Sequence, residues 1–237
     1  MIDITQAPGT LPQGRRVYAI GDVHGCADRL SELHHVIAED LARRPIDGPL
    51  LIHIGDYVDR GPDSAGVVRR LAAGPPLSGV PTVNLIGNHE DTMLRALDGE
   101  RASATDWLFT GGREALASWD VDPDSPREGW LAALPPSDVA FVRGLSLWHR
   151  EGGYLFVHAG IRAGVPLERQ EKQDLLTIRQ PFLTHDSPFG FVVVHGHTPT
   201  SNPVVKPNRI GIDTGAVFGG RLTCVVLEAD TLGFLRA

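Results

Sequence analysis

The 237 residues include 42% hydrophobic side chains, enough for a substantial core, and 29 acidic against 22 basic groups give a net charge of −7. The arginine pairs at 15–16, 43–44 and 69–70 are isolated, so no basic stripe forms and nucleic acid is not expected as a partner. Residues 1–16 hold Asp3, Pro8 and Pro12 without an apolar signal core, and no later apolar run reaches membrane-spanning length, so a soluble, cytoplasmic protein with no membrane partner is expected.

Residues 17–20 form a short apolar run that predicts a buried strand, and it ends in Gly21-Asp22-Val23-His24-Gly25. Leu30, Leu33, Ile37 and Leu41 then recur at helical spacing after Asp28. A second run, 50–54, ends in Gly55-Asp56-Tyr57-Val58-Asp59-Arg60-Gly61, and Val67, Val68 and Leu71 predict a second helix after Asp63 and Ser64. A third, 83–86, ends in Gly87-Asn88-His89-Glu90. This alternation predicts a parallel sheet covered by helices through about residue 98.

Residues 99–150 differ in character. They contain all four tryptophans, Trp107, Trp119, Trp130 and Trp148, and the spacing of Leu108, Leu116 and Trp119 predicts a helical insert, packing a satellite core or shaping the site entrance. Runs at 154–157 and 191–194 follow, the first ending in His158-Ala159-Gly160 and the second in His195-Gly196-His197-Thr198. Segments 209–213, 222–227 and 232–235 read as strands joined by short turns, hence a second, more antiparallel sheet. The expected fold class is α/β, with two packed mixed sheets flanked by helices. One domain over 1–237 is expected, because a site drawing on positions 22 to 197 cannot be divided between independent halves.

Ligands in open α/β sheets bind beyond the carboxyl ends of the strands, so five such ends can converge on one site. Asp22, His24, Asp56, Asn88, His158 and His197 offer oxygen and imidazole donors without thiolate, which suits manganese, iron or zinc. Six donors exceed what one tetrahedral ion with an open position uses, so two divalent metals are expected. A carboxylate shared between them, assigned to Asp56, leaves room for a bridging hydroxide as nucleophile. Arg60 and Arg179 present forks that match phosphate oxygens, and His89 follows Asn88 closely enough to act as general acid, oriented by Asp59.

These ordered blocks resemble the phosphoprotein phosphatase family, in its bacterial, lambda-phosphatase-like branch of the calcineurin-like metallophosphoesterases. The resemblance implies an α/β/β/α sandwich and assigns Asp22, His24 and Asp56 to one metal, with Asp56, Asn88, His158 and His197 on the second. It implies manganese as the metal, Arg60 and Arg179 as phosphate anchors, and the Asp59–His89 pair as acid. Arg179 is carried over from Leu176-Thr177-Ile178-Arg179, where relatives carry tryptophan at the position of Thr177.

The activity this implies is hydrolysis of phosphoserine and phosphothreonine in phosphorylated proteins by direct attack of the bridging hydroxide. The alternative is a diadenosine tetraphosphatase or other small-phosphoester hydrolase, whose members typically lack the full Asp-Tyr-Val-Asp-Arg-Gly block. A third reading is a non-catalytic metal-binding scaffold. The oligomeric state is left open. Other residues divide between function and structure: Glu90 as a helix cap, His195 as a donor beside His197 or a buried imidazole, and Arg162 as a substrate contact or loop salt bridge. Cys26 and Cys224 are expected reduced, with Cys26 a small buried hydrophobe or an activated thiol at a helix start.

Overall fold

A computed structural model describes residues 3–237. In chain order it contains β1 (Thr5–Gln6), β2 (Arg15–Ile20), α1 (Ala27–Arg43), β3 (Gly48–His53), α2 (Ser64–Ala72), β4 (Thr82–Asn84) and α3 (Asn88–Leu97). Four short helices follow, α4 (Arg101–Trp107), α5 (Arg113–Ser118), α6 (Trp130–Ala133) and α7 (Pro136–Arg143), then β5 (Trp148–Glu151) and β6 (Tyr154–Val157). The chain closes with α8 (Lys172–Thr177), β7 (Val192–His195), β8 (Val204–Lys206), β9 (Arg209–Gly211), β10 (Thr223–Glu228) and β11 (Thr231–Arg236). No helix among the described residues is long and apolar enough to cross a membrane.

The strands form two mixed sheets flanked by helices. The first has the order β1-β11-β10-β2-β3-β4 and the second β5-β6-β7-β9-β8. Strand alternation builds the layers. Val17, Ala19, Leu50 and Ile52 of the first sheet meet Tyr154, Phe156, Val192 and Val194 of the second in one apolar layer. The opposite faces turn outward. Tyr18, Ile20 and Leu51 pack under Leu30, Leu33, Ile37 and Val67, while Leu155, Val157 and Val193 pack against Leu175, Ile178 and Phe182. Each fully buried Val, Leu or Ile contributes roughly 1.5–3 kcal/mol.

β2, β3 and β4 are parallel, as the alternation with helices requires. The C-terminal strands depart from expectation. β10 and β11 belong to the first sheet, with β10 antiparallel to β2 and Cys224 opposite Ile20, and the second sheet has a parallel centre of β6, β7 and β9. Adding β10 to β2 places Val225 and Leu227 between the sheets. Helices occupy residues 101–143, whereas Trp148 begins a strand. Trp107, Trp119 and Trp130 lie in the main helix-covered core instead of a satellite one. α1 is preceded by Cys26 at the cap position with Asp28 in its first turn, and α2 is capped by Asp63, whose carboxylate accepts from the Gly66 N–H at 2.7 Å.

Beneath α1, His34 Nε2 lies 2.9 Å from His53 Nε2, and His53 Nδ1 lies 2.8 Å from Asn84 Oδ1. Burial pushes the two imidazoles down, His34 to about 4 and His53 to about 3. The folded protein therefore keeps both neutral, while the unfolded chain takes up protons near pH 6.5. Their contribution is fully present above that pH and is lost as pH falls toward the folded values, by up to about 1.4 kcal/mol per pH unit for each group. Denaturant titrations between pH 7 and 5 should show this decline, and His53→Gln should reduce the slope by about one proton. An unaltered slope would show that the pair does not titrate with unfolding.

Candidate active site

The loops after β2, β3, β4, β6 and β7 meet at one edge of the two sheets. Backbone bonds lock the first two together: the Val23 and His24 N–H groups both donate to the Asp56 carbonyl, at 3.0 and 2.8 Å, and the Gly25 N–H donates to the Tyr57 carbonyl at 2.8 Å. Glu90, fully buried in the first turn of α3, ties in the third. Its carboxylate accepts the N–H groups of Asp56, Tyr57, Val58 and Gly87 at 2.7–3.1 Å. Burial and the nearby Asp56 charge push its pKa up to about 7, against the pull of those donors. Glu90 thus goes beyond the expected helix cap and clamps two site loops.

The motif residues converge. Asp56 Oδ2 is 3.4 Å from both His24 Nε2 and His158 Nε2, and Asn88 Oδ1 is 3.1 Å from His158 Nε2 and 2.8 Å from His197 Nδ1. Asp22 accepts the His197 N–H at 3.1 Å. His24 and His158 hold their Nδ1 atoms against the Val58 and Ile54 carbonyls, at 2.9 and 3.0 Å, which turns both Nε2 atoms toward Asp56 and the donor cluster. Two donor groups result, His24-Asp56-His89 and Asp56-His158-His197, each with ligand atoms within 4.8 Å of one another. Asp56 belongs to both.

Electrostatics point to a site built for cations. Burial works against a charged His158, yet Asp56 and Asp22 outweigh it and push its pKa up to about 10. Burial likewise disfavours the Asp56 anion, but His158, His89 and His24 hold its carboxyl well below the ordinary range. Asp22 is raised well above that range by burial and then by Asp213. Asp213 was not anticipated from the sequence. It follows β9 as the other acids follow their strands, so the strand-end pattern contained the signal, although an Asp-Thr-Gly turn has no histidine to mark it.

His89 Nδ1 lies 2.6 Å from Asp59 Oδ2, and the second Asp59 oxygen accepts the Trp107 indole N–H at 2.8 Å. Trp107 therefore positions the pair as well as packing the core, a role without any sequence motif. Burial lowers the His89 pKa, but Asp56 and Asp59 outweigh it and the net shift is upward. Arg60 is exposed, with Nη1 2.8 Å from His24 Nε2. Arg179 is exposed and close enough to His197 for its charge to disfavour protonation there.

Other candidates lie elsewhere. His195 points to the outer face of the second sheet, its ring 5.0 Å from Phe182. The strand alternation that would have aligned it with His197 ends at that residue, whose φ is +63°. Arg162 makes a two-pronged bond to Asp174 at 2.7 and 2.8 Å, the loop salt bridge. Cys26 and Cys224 are free thiols, and burial raises the pKa of both, so Cys26 is not an activated thiolate.

The sequence model of the calcineurin-like phosphoesterases matches residues 15–228. The chain belongs to the calcineurin-like phosphoesterases. Members of this family hydrolyse phosphoesters with divalent metals, and the overlapping oxygen and imidazole donor groups around Asp56 fit such ions. Bis(5'-nucleosyl)-tetraphosphatase PrpE of Halalkalibacterium halodurans is 27% identical over 225 residues, 87% of this phosphoesterase and 87% of that protein. Serine/threonine-protein phosphatase 1 of Salmonella typhimurium is 31% identical over 228 residues, 90% of this chain and 93% of that one. The crystal structure of a cold-active protein-tyrosine phosphatase from a psychrophilic Shewanella superposes with a TM-score of 0.60 at 16% identity, covering 97% of this chain and 83% of the other, and speaks to the fold alone.

The phosphoesterase depends on close approach at Gly87, where a Cβ would lie 2.1 Å from Asp56 Oδ1 and 2.4 Å from the Asp56 nitrogen. Gly87→Ala should displace Asp56 and weaken metal binding roughly 10- to 100-fold. Calorimetric metal titration, with circular dichroism to verify the fold, measures this, and wild-type affinity would show that Asp56 moves without consequence.

Proposed function

We propose that this phosphoesterase cleaves dinucleoside polyphosphates such as diadenosine tetraphosphate, using two divalent metals, manganese by preference. The observation that carries hydrolysis is Asp56, shared by two donor groups with His24 on one side and His158 on the other. The similarity to a bis(5'-nucleosyl)-tetraphosphatase over 87% of the chain supports the substrate. That similarity also weighs against using the Asp-Tyr-Val-Asp-Arg-Gly block to exclude a dinucleotide.

In this reading Asp22, His24 and Asp56 would hold one ion, with Asp22 in the place that His89 takes in the first donor group, and Asp56, Asn88, His158 and His197 would hold the other. Bound there, the ions supply Lewis acidity and lower the pKa of water. The chain's own side chains do the rest. Arg60 and Arg179 flank the cluster at its His24 and His197 ends and hold phosphate oxygens. His89, whose protonated form Asp56 and Asp59 favour against the effect of burial, protonates the leaving oxygen, and Trp107 holds Asp59 in place.

A second reading is a serine/threonine protein phosphatase of the lambda-like branch, acting on phosphorylated proteins. The relative from Salmonella typhimurium at 31% identity favours it, as does the intact Asp59–Arg60 and His89 set.

Comparing kcat/KM on diadenosine tetraphosphate and on a phosphothreonine peptide with manganese-loaded protein separates the two. Preference for the dinucleotide is expected; preference for the peptide would establish the second reading, and silence on both would leave a metal-binding scaffold. His89→Ala should retain metal but lower kcat roughly 10²- to 10⁴-fold. An unchanged rate would remove His89 from the reaction.

A further inference from the structure

Among the described residues the two most exposed large hydrophobic side chains are Phe109, at 88%, and Phe218, at 65%. Both border Arg60. The Arg60 guanidinium carbon lies 5.5 Å from the centre of the Phe218 ring, and the Arg60 N–H donates at 3.2 Å to the carbonyl of Gly111, two residues beyond Phe109. Large exposed aromatics next to a phosphate anchor suit contact with a ligand better than solvation.

The turn that presents Phe218 is built to hold it. Ala216–Phe218 forms a tight turn between Gly215 at φ +65° and Gly219 at φ +88°. The Phe218 and Gly220 N–H groups both donate to the Gly215 carbonyl at 2.9 Å, and the Gly215 N–H donates to Asp213 Oδ1 at 3.0 Å. Arg29 of α1 donates to the Gly220 carbonyl from the facing side. A Cβ at Gly220 would lie 2.0 Å from the Thr214 carbonyl oxygen, so the turn has no slack there. An exposed ring on a pre-organised turn loses little entropy on binding.

Between this turn and the start of α1 runs a groove of about 430 Å³, bordered by Cys26, Asp28, Arg29, Arg60, Asp63 and Val217. Arg60 stands at the donor cluster and bonds His24, and Arg29, the other cation on the lining, is turned to the Gly220 carbonyl, whereas Asp28 and Asp63 put carboxylates on the groove's wall. Those carboxylates repel a continuing phosphate chain and accept hydrogen bonds from ribose hydroxyls or an exocyclic amine. The groove therefore suits the uncharged end of a nucleotide whose phosphate lies at Arg60.

We propose that Phe218 is the stacking platform of a nucleoside subsite at the rim of this groove, whose lining on the turn is Ala216, Val217 and Gly219, and that the groove takes the ribose of a dinucleoside polyphosphate while the base lies over the ring. Arg60 turns from the ring to the phosphate, the base lies against Phe218, and the remaining phosphates run past the metal donors toward Arg179. The inference rests on the dinucleotide reading above and specifies where that substrate is recognised.

Phe218→Ala tests it, with Phe218→Trp as the rescuing variant. Base stacking on an aromatic side chain corresponds to roughly a 5- to 150-fold change on removal to alanine. Phe218→Ala should raise KM for diadenosine tetraphosphate by that factor, far more than KM for inorganic tripolyphosphate, which has no base; Phe218→Trp should restore it. Calorimetric binding of AMP to metal-free protein should weaken in parallel. If wild-type protein cleaves the dinucleotide and Phe218→Ala leaves its KM unchanged, the subsite is refuted while the activity stands. If wild-type protein does not cleave the dinucleotide yet binds AMP in a Phe218-dependent way, the subsite stands and the activity reading fails. A KM effect confined to a phosphothreonine peptide, or no binding of either nucleotide, overturns the subsite.

Discussion

Asp56 is a buried carboxylate that faces four histidines, His24, His89, His158 and His197, with Asp22, Asp59, Glu90 and Asp213 close enough to feel its charge, and the site loops are arranged to make that arrangement tolerable. Burying a charge is costly unless it is paired. The adjacent Glu90 fastens the surrounding backbone, with four N–H groups ending on one carboxylate. That clamp ties the loops carrying Asp56 and Asn88 together, and the His89 N–H adds a direct bond to Asp56 Oδ1 at 3.1 Å.

The cost of this geometry is visible in the backbone. Five of the seven non-glycine residues with positive φ among the described residues are His24, Asp56, Asp59, Arg60 and His197. Each such residue stores strain of order 1–3 kcal/mol, held only because its surroundings over-determine it. Close approach adds a second constraint: at Gly196 a Cβ would lie 2.0 Å from Asp22 Oδ1. Strain and crowding fall on the same loops because the metal donors must face one another across the ends of two sheets.

Around that centre the chemistry is graded outward. Asp22, His24, Asp56, His158 and the Asp59–His89 pair are buried, Asn88 and His197 are half-buried, Arg60 and Arg179 are exposed, and the aromatic ring at Phe218 lies beyond Arg60. Under the nucleoside subsite proposed above, hydrolysis and substrate choice reside on different elements, the strand-end loops for the first and the turn after β9 with α1 for the second. The chain's relatives include both a tetraphosphatase and a protein phosphatase.

Sequence periodicity determined the buried strands, the helices after Asp28 and Asp63, and the convergence of Asp22, His24, Asp56, Asn88, His158 and His197. These follow from local pattern and from the rule that ligands gather at strand ends. Tertiary structure alone decided that β10 and β11 complete the first sheet, because strand periodicity specifies which face is buried and not which strand is adjacent. It alone placed Trp107 on Asp59, turned His195 away, and made Glu90 a clamp, since each depends on a partner remote in the chain. Asp213 falls between the two: its strand-end position was legible, but its proximity to Asp22 arises only when the two sheets pack and bring Gly21, after β2, against Ile212, after β9.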